Sequence, residues 1–330
     1  MTFPRRAMFA GGLTLPLIGG VARAQGFPTR PVRMIVPIAP GGANDILARQ
    51  VAERLAPVLG QPVVVENRAG AGGNLGALAV AQAEKDGHTI LLCSANVIAA
   101  NKWLYRTQMP LDPLRDLAPV TRIAYSTILL VVNAQRPWRT FQDLVTFARA
   151  NPGRVTMGSS GTGTISHLYL EKLNRAAGIQ ITHVPYRGGS LAIQDLAAGN
   201  IDMMFDAIPA LLPHMREGRF RALAAGSARR IDYVPDLTEI PAMDELLPGQ
   251  GIDALNWYSI TTTAGSPPAA IAALHGAVTR VMGDAAFAAR LRPLSFNPIT
   301  DPSPEAFLVY WRAEEQKWRE LVEQSGARAE

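Results

Sequence analysis

Twice in this chain a short apolar run enters a glycine-rich loop, and a helical pattern leaves that loop. The first loop lies within Val36–Arg49, VPIAPGGANDILAR, and the second within Gly158–Thr164, GSSGTGT. Glycine lets the backbone approach a ligand closely, and a helix N-terminus presents free N–H groups and a positive dipole end. Each loop alone fits an anion site or a tight turn equally well. Together they predict a cleft at the carboxyl ends of parallel strands, where open α/β sheets bind ligands.

Apolar runs and helical spacing alternate along the rest of the chain. The first part predicts strands at residues 32–38, 63–65 and 89–93 with helices between them. The second part predicts five strands between residues 129 and 225, again separated by helices. This order is typical of parallel sheets with right-handed crossovers.

A further strand and a helical tail follow the second set of elements. The strand is predicted at residues 257–263, and the amphipathic tail runs from Ser303 to Gly326. We therefore predict an α/β fold of two doubly wound lobes joined by crossing strands. Lobe 1 would comprise residues 25–127 plus 257–330, and lobe 2 residues 128–256.

The N-terminus predicts export from the cytoplasm. Arg5 and Arg6 precede a stretch of mostly apolar or small residues, Ala7–Ala22, and an A-x-A site, so residues 1–24 are predicted to be a signal peptide cleaved before Gln25. The arginine pair fits the twin-arginine route as well as the ordinary secretory route. Cleavage would remove three arginines and no acidic residue, which lowers the net charge from +5 to +2. Without a basic run carrying interleaved aromatics, nucleic acid is not an expected partner.

The sequence gives little support for catalysis or a cofactor. Ser166 stands where a dinucleotide fingerprint needs its third glycine, and Thr162 where a nucleophile elbow needs its last glycine. The five histidines form no zinc motif, and the single cysteine, Cys93, lies in a strand-like run typical of a core. We expect no metal and no cofactor. An exported hydrolase using Ser159 or Ser160 with His167 remains as an enzymatic alternative.

Two further polar residues lie close to the predicted cleft. His167, one turn into the helix after the second loop, either contacts ligand, holds Ser159 and Ser160 in place, or is a half-buried histidine bonded to backbone. Asp206 ends the strand DMMFD and either binds a ligand ammonium or a bridging water, or caps the next helix.

Several long segments in order resemble the Bordetella uptake gene (Bug) family, the periplasmic solute-binding proteins of tripartite tricarboxylate transporters. The matching segments are VPIAPGGANDILAR (36–49), VENRAGAGGNLGALAVA (65–81), DGHTILL (86–92), MGSSGTGTISHLYLEKL (157–173), VPYRGGSLAIQDLAAGNIDMMFD (184–206) and LLPHMREGRFRALAAGS (211–227). The resemblance implies a periplasmic binding protein fold of type II, with a carboxylate held between two lobes. It departs from the family pattern at Ile38, where an aromatic residue is common.

The resemblance also implies which residues bind the ligand. These are Ile38, Ala39, Pro40, Gly41, Gly42, Asn44 and Asp45 in the first loop, Ser159, Ser160, Gly161, Thr162, Gly163 and Thr164 in the second, and His167 and Asp206. The implied function is capture of a small organic acid (a dicarboxylate, an aromatic acid or an amino acid) and delivery to the transporter's membrane subunits. The protein is expected to be a periplasmic monomer without enzymatic activity. A ligand sensor for a membrane kinase is an alternative that the sequence does not separate from transport.

Overall fold

The computed structural model describes residues 26–162 and 164–325. The predicted signal peptide lies outside the described residues. The strands are β1 Val32–Val36, β2 Val63–Asn67, β3 Thr89–Ser94, β4 Leu117–Asn133, β5 Thr156–Ser159, β6 Thr182–Pro185, β7 Met203–Ala207, β8 Phe220–Ala225, β9 Leu255–Thr263 and β10 Asn297–Pro298. The helices are α1 Ala43–Leu59, α2 Asn74–Ala81, α3 Asn101–Tyr105, α4 Pro113–Asp116, α5 Phe141–Ala150, α6 Ile165–Ala177, α7 Gly189–Ala198, α8 Ile208–Arg216, α9 Met243–Leu246, α10 Pro268–Met282, α11 Ala285–Leu291 and α12 Pro304–Ser325.

The strands form one curled, mixed sheet in the order β2-β1-β3-β9-β4-β7-β5-β6, with β8 and β10 also paired to β4. The pairs β1–β2, β1–β3, β5–β6 and β5–β7 are parallel, as predicted. The prediction of a wholly parallel second set is wrong, because β4 is antiparallel to β7 and to β8. Hydrophobic periodicity identifies a strand but carries no information on its direction relative to its neighbours.

Strand β4 links the two parts of the sheet. Its residues Leu117–Thr127 pair with β9, whereas Ile128–Asn133 pair with β7 and β8. Strands β4 and β9 are thus the crossing strands that the sequence predicts, although it indicated only the last five residues of β4. We call β1, β2, β3, β9, β10 and residues 117–127 of β4 the first half, and residues 128–133 of β4 with β5–β8 the second half. The lobe boundaries predicted from the sequence remain a prediction.

Helices cover both faces of each half, so that every half has two apolar clusters. In the first half, Leu47 and Leu274 belong to the cluster on one face, and Ile98 and Phe307 to the cluster on the other. Cys93 is fully buried in the latter, where burial raises the pKa of its thiol to about 12, so it is a packing residue, as predicted.

The C-terminal helix α12 returns to the first half and also reaches the second. Trp311 and Trp318 are buried in the same cluster as Leu168 of α6, which belongs to the second half. The Trp257 indole on β9 donates to Glu314 of α12 at 2.8 Å. The two tryptophans, seven residues apart on α12, therefore serve packing.

Helix α2 approaches the first loop so closely that only glycine fits at position 76. A Cβ there would lie 2.7 Å from the Cα of Pro37 and 3.0 Å from the carbonyl oxygen of Arg68. We expect Gly76→Ala to lower the free energy of unfolding by about 2 kcal/mol, because backbone atoms have to move. The matched control is Gly276→Ala on α10, where a Cβ meets nothing within 4 Å and helix propensity predicts a gain of up to about 1 kcal/mol. Urea unfolding of both variants checks the pair, and equal effects would contradict the close-approach argument.

Candidate functional site

The first loop is closed from within by Asp45. This carboxylate, only 4% exposed, accepts from the Gly41 N–H at 2.9 Å, from the Asn67 amide at 3.0 Å and from the Arg49 guanidinium at 2.9 Å. Burial works against ionisation, but the hydrogen bonds from Arg49, Gly41 and Asn67 outweigh it and hold the pKa of Asp45 below its usual range. Asp45 therefore holds the loop in place, and its carboxylate bonds to other residues of the protein.

The N-terminus of α1 opens onto the same loop. Its N-cap is Gly42, and neither Asn44 nor Asp45 caps the helix. Asn44 instead donates from its amide to the Ser94 hydroxyl at 3.3 Å. Among the described residues, no acceptor takes the N–H groups of Ala43, Asn44 and Asp45, which leaves three donors and the positive dipole end for an anion.

Ile38 and its neighbours form the outer surface of this loop. The Ile38 side chain lies over Gly42, with its Cδ1 2.5 Å from the position that a Cβ on Gly42 would take. The Asn67 amide holds the Ile38 carbonyl at 3.1 Å. Ala39, Pro40 and Gly41 are exposed. The loop therefore presents an apolar side chain directly beside the donors of α1.

The second loop follows β5 in the second half. Ser159 is fully buried, and its Oγ lies 3.2 Å from the Gly161 nitrogen and 2.6 Å from Nε2 of His183. Thr164 donates from its hydroxyl to the Gly161 carbonyl at 2.7 Å, which closes the loop from the other side. Gly163 lies outside the described residues.

Three residues of this loop remain accessible in part. Ser160, Gly161 and Thr162 are half-buried. The N–H groups of Ile165 and Ser166 in the first turn of α6 have no acceptor among the described residues. The loop therefore offers hydroxyls and backbone donors of the kind that its sequence predicts.

His167 packs on a second histidine that the sequence analysis did not select. Its ring stacks on His183 with centroids 4.0 Å apart and an angle of 5° between the planes. Burial lowers the pKa of His167, and burial together with the neighbouring His167 lowers that of His183 to about 4. The hydrolase alternative paired Ser159 or Ser160 with His167; the structure shows instead that the partner of Ser159 is His183.

Asp206 meets both this loop and the start of α7. A Cβ on Gly189 would lie 2.6 Å from Oδ2 of Asp206 and 3.8 Å from Cβ of Ser160, so three loops converge at one point. Burial raises the pKa of Asp206 to about 6, against the opposing bond from the Ala207 N–H at 2.7 Å. Asp206 is not the N-cap of α8, which is Ala207; among the described residues, its carboxylate accepts only from the N–H of that N-cap residue.

Strand β9 adds two buried polar residues that the sequence analysis missed. Asn256 donates from its amide to the Tyr258 hydroxyl at 3.0 Å, and its own carbonyl oxygen has no hydrogen-bond partner among residues 26–162 and 164–325. Burial and the nearby charge of Asp206 raise the pKa of Tyr258, so the phenol remains protonated. A buried acceptor without a partner among the described residues is a signal that only the structure provides, because the burial and pairing of a polar atom depend on distant segments.

Two kinds of site are not found in the described part of the chain. Within residues 26–162 and 164–325, no three His, Cys, Asp or Glu side chains gather in a group that could hold a metal ion. None of the helices described here combines the length and apolar character that a membrane span requires.

Comparison with known proteins places this geometry in a family. Residues 47–327 match the family described as tripartite tricarboxylate transporter family receptor. The chain belongs to this family. It is 34% identical over 96% of its length to a protein encoded in the tcbD-tcbE intergenic region of Pseudomonas sp. strain P51, covering 94% of that protein. It is 32% identical to protein BugT of Bordetella pertussis, with 94% of each chain covered. The resemblance to the Bug family is thus confirmed.

Solved structures of such receptors share the fold. The Rhodopseudomonas palustris protein Rpa4515 with adipate superimposes with a TM-score of 0.86 at 32% identity, over 92% of this chain and 99% of that one. The periplasmic binding protein BugD superimposes with a TM-score of 0.84 at 30% identity, over 92% of this chain and 100% of BugD. MatC of Rhodopseudomonas palustris with bound malate superimposes with a TM-score of 0.81 at 29% identity, over 90% of this chain and 100% of MatC. The predicted fold class is confirmed, and this receptor is a periplasmic solute-binding protein rather than an enzyme.

Proposed function

We propose that this receptor captures a small dicarboxylate between its two glycine-rich loops and delivers it to the membrane subunits of a tripartite tricarboxylate transporter. The observation that carries the proposal is a set of backbone N–H donors at the N-termini of α1, α6 (Ile165 and Ser166) and α7 that find no acceptor within the part of the chain that the structure describes. Such donors bind carboxylates without an arginine or lysine. The adipate and malate bound by the similar proteins Rpa4515 and MatC support the same ligand class.

Each loop has its own part in the proposed capture. One carboxylate receives hydrogen bonds from the N–H groups of Ala43, Asn44 and Asp45, beside the apolar side chain of Ile38. The other end of the ligand meets the hydroxyls of Ser160 and Thr162. Asp206, which converges with Ser160 near Gly189, lies beside this end of the ligand, and the remaining residues of the predicted site shape the two loops around these contacts.

Closure of two lobes about β4 and β9 would remove the bound acid from water, as in other two-lobe binding proteins. The lobe boundaries proposed here are those predicted from the sequence, with changes of lobe at residues 127/128 and 256/257. Strand β4 changes its pairing partners between Thr127 and Ile128, which supports the first of these boundaries. We also propose that residues 1–24 are removed on export and that the mature receptor is a monomer.

Isothermal titration of the purified receptor with malate, adipate and benzoate tests the ligand class. We expect saturable binding of at least one dicarboxylate, and native mass spectrometry should show the co-purified acid. A receptor that binds none of a broad panel of organic acids would contradict the proposal. A pull-down with the transporter's membrane subunits, compared with the periplasmic domain of a sensor kinase, separates delivery from sensing.

Ile38 is expected to select for ligand length. Replacing it by phenylalanine places a larger side chain over Gly42, beside the proposed carboxylate site. Because one methylene in an apolar pocket changes binding by roughly tenfold or more, we expect Ile38→Phe to weaken adipate relative to malate by about tenfold. Val64→Phe is the control, since Val64 is exposed on β2. An unchanged adipate-to-malate ratio in Ile38→Phe would show that Ile38 does not select the acid.

A further inference from the structure

His183 lies in β6, outside every segment that the proposed function assigns to ligand contact. Its Nε2 atom nevertheless lies 2.6 Å from the hydroxyl of Ser159, where β5 ends and the chain enters the second loop. We propose that His183 is a positioning residue for residues 159–162 of the second loop, which it holds in their binding conformation through Ser159. The consequence for affinity rests on the proposed function, whereas the effect on the loop itself does not.

Ser159 is placed to hold the loop and not to touch the ligand. Its side chain is fully buried, and its Oγ lies 3.2 Å from both the nitrogen and the carbonyl oxygen of Gly161. Gly161 has a φ of +137°, a conformation that side-chain-bearing residues rarely adopt, so the peptide there needs external support. The hydroxyl supplies that support, and the half-buried Ser160 and Thr162 lie on either side of the supported residue.

The sheet register brings His183 to the serine. In the parallel pair β5–β6, His183 lies opposite Met157, and Ser159 lies two residues further along on the same face of the sheet. The imidazole therefore reaches Ser159 diagonally across the pair. The Tyr186 N–H, which donates to the Ser159 carbonyl at 3.0 Å, fixes the backbone at the same place.

A second histidine fixes the orientation of the first. The His167 ring stacks on His183 in nearly parallel planes, and Nε2 of His167 lies 3.9 Å from the Glu171 carboxylate. The lowered pKa values of both imidazoles keep the pair neutral at pH 7. A neutral His183 has one ring nitrogen free to accept, so the Ser159 hydroxyl can donate to it and accept the Gly161 N–H at the same time.

The first half holds its own loop in a comparable way. There the Gly41 N–H donates inward to Asp45, and Asp45 is held by Arg49. In both halves a buried side chain therefore takes the N–H of a loop glycine, and a neighbouring nitrogen-bearing side chain orients it. This correspondence supports a role in shaping the loop over simple packing of an imidazole.

Three single variants and one double variant, which combines His183→Phe with Ser159→Ala, test the proposal. His183→Phe keeps a flat ring against His167 but loses the bond, Ser159→Ala removes the hydroxyl, and His183→Gln places an amide near the position of Nε2. Two measurements are made on each: NMR exchange of the Gly161 amide in the free protein, and calorimetric affinity for malate and adipate. Thermal unfolding confirms that each variant is folded.

We expect His183→Phe and Ser159→Ala each to speed Gly161 exchange and to weaken acid binding about five- to tenfold, the equivalent of one net hydrogen bond. The double variant should be no worse than either single variant, because both remove the same link. His183→Gln should restore most of the slow Gly161 exchange and most of the acid affinity, which simple packing would not predict. If His183→Phe does not fold, His183→Gln and Ser159→Ala decide by the same two measurements.

Unchanged Gly161 exchange in Ser159→Ala and His183→Phe, or additive losses in the double variant, would overturn the positioning role. If the unmodified receptor binds neither malate nor adipate, the proposed ligand class is contradicted. Gly161 exchange then still decides whether His183 holds the loop.

Discussion

Replacing Asp206 by asparagine is expected to stabilise the receptor at pH 7.5 by up to about 3 kcal/mol, because burial raises the pKa of this carboxyl from 3.8 to about 6. Between these two values the folded protein holds a proton that the unfolded chain has released. The free energy of unfolding therefore falls as pH rises through this range. Above pH 6 the ionised Asp206 destabilises the folded protein to its full extent. Below pH 4 the carboxyl is protonated in both states, and the substitution should gain little.

Urea unfolding from pH 4 to pH 8 measures this effect. The unmodified protein should lose stability between pH 4 and pH 6 relative to Asp206→Asn, and the two curves should run parallel above that range. Glu323→Gln, at an exposed ion pair on α12, is the matched control and should change little. Parallel curves over the whole range would show that Asp206 ionises as easily in the folded as in the unfolded protein.

The same substitution should change how ligand binding depends on pH. An ionised Asp206 repels a ligand carboxylate, whereas the protonated acid can donate a hydrogen bond to it. We expect adipate affinity of the unmodified receptor to rise as pH falls through about 6, and this dependence to disappear in Asp206→Asn. Calorimetry at pH 5 and pH 7.5 decides, and a flat profile in the unmodified receptor would contradict a place for Asp206 beside the ligand. A half-buried carboxyl whose ionisation lowers stability is common at functional sites, where binding requires such groups.

Asp45→Ala is expected to have the opposite effect on stability, with a loss of about 3 kcal/mol. The substitution leaves the Gly41 N–H, the Asn67 amide and the Arg49 guanidinium without their shared acceptor. Breaking a buried charged network by removing one partner typically costs 3–5 kcal/mol, and the exposure of Arg49 favours the lower end. Because the loop loses the carboxylate that holds the Gly41 N–H, acid affinity should also fall by at least about tenfold.

The pH dependence of the Asp45 contribution has the opposite sign to that of Asp206. Its pKa is lowered in the folded protein, so its stabilising effect is complete above the unfolded value near 4 and is lost as pH falls through the folded value. The penalty of Asp45→Ala should therefore shrink only under strongly acidic conditions. Asp236→Ala, at an exposed pair with Arg216, is the control and should cost less than about 1 kcal/mol. Equal losses of unfolding free energy in both variants would show that Asp45 does not hold the loop in place.

The sequence by itself determined most of the elements and the position of both loops. Strands β1, β2, β3 and β9 each agree with the predicted range to within about two residues at either end. These features depend on local spacing of apolar residues, glycines and prolines, which a single chain segment carries in full. The family resemblance drew on the same local segments.

Only the tertiary structure decided what the polar side chains do. The Asp45 carboxylate accepts from the Gly41 N–H and from the Asn67 amide, and Asn67 reaches it only because β2 pairs with β1. Ser159 and His183 are 24 residues apart and meet through the register of β5 on β6. The raised pKa of Asp206 likewise depends on burial where three loops converge. Local patterns specify where a strand or loop forms, but the direction, register and burial of distant segments determine which side chains bond to each other.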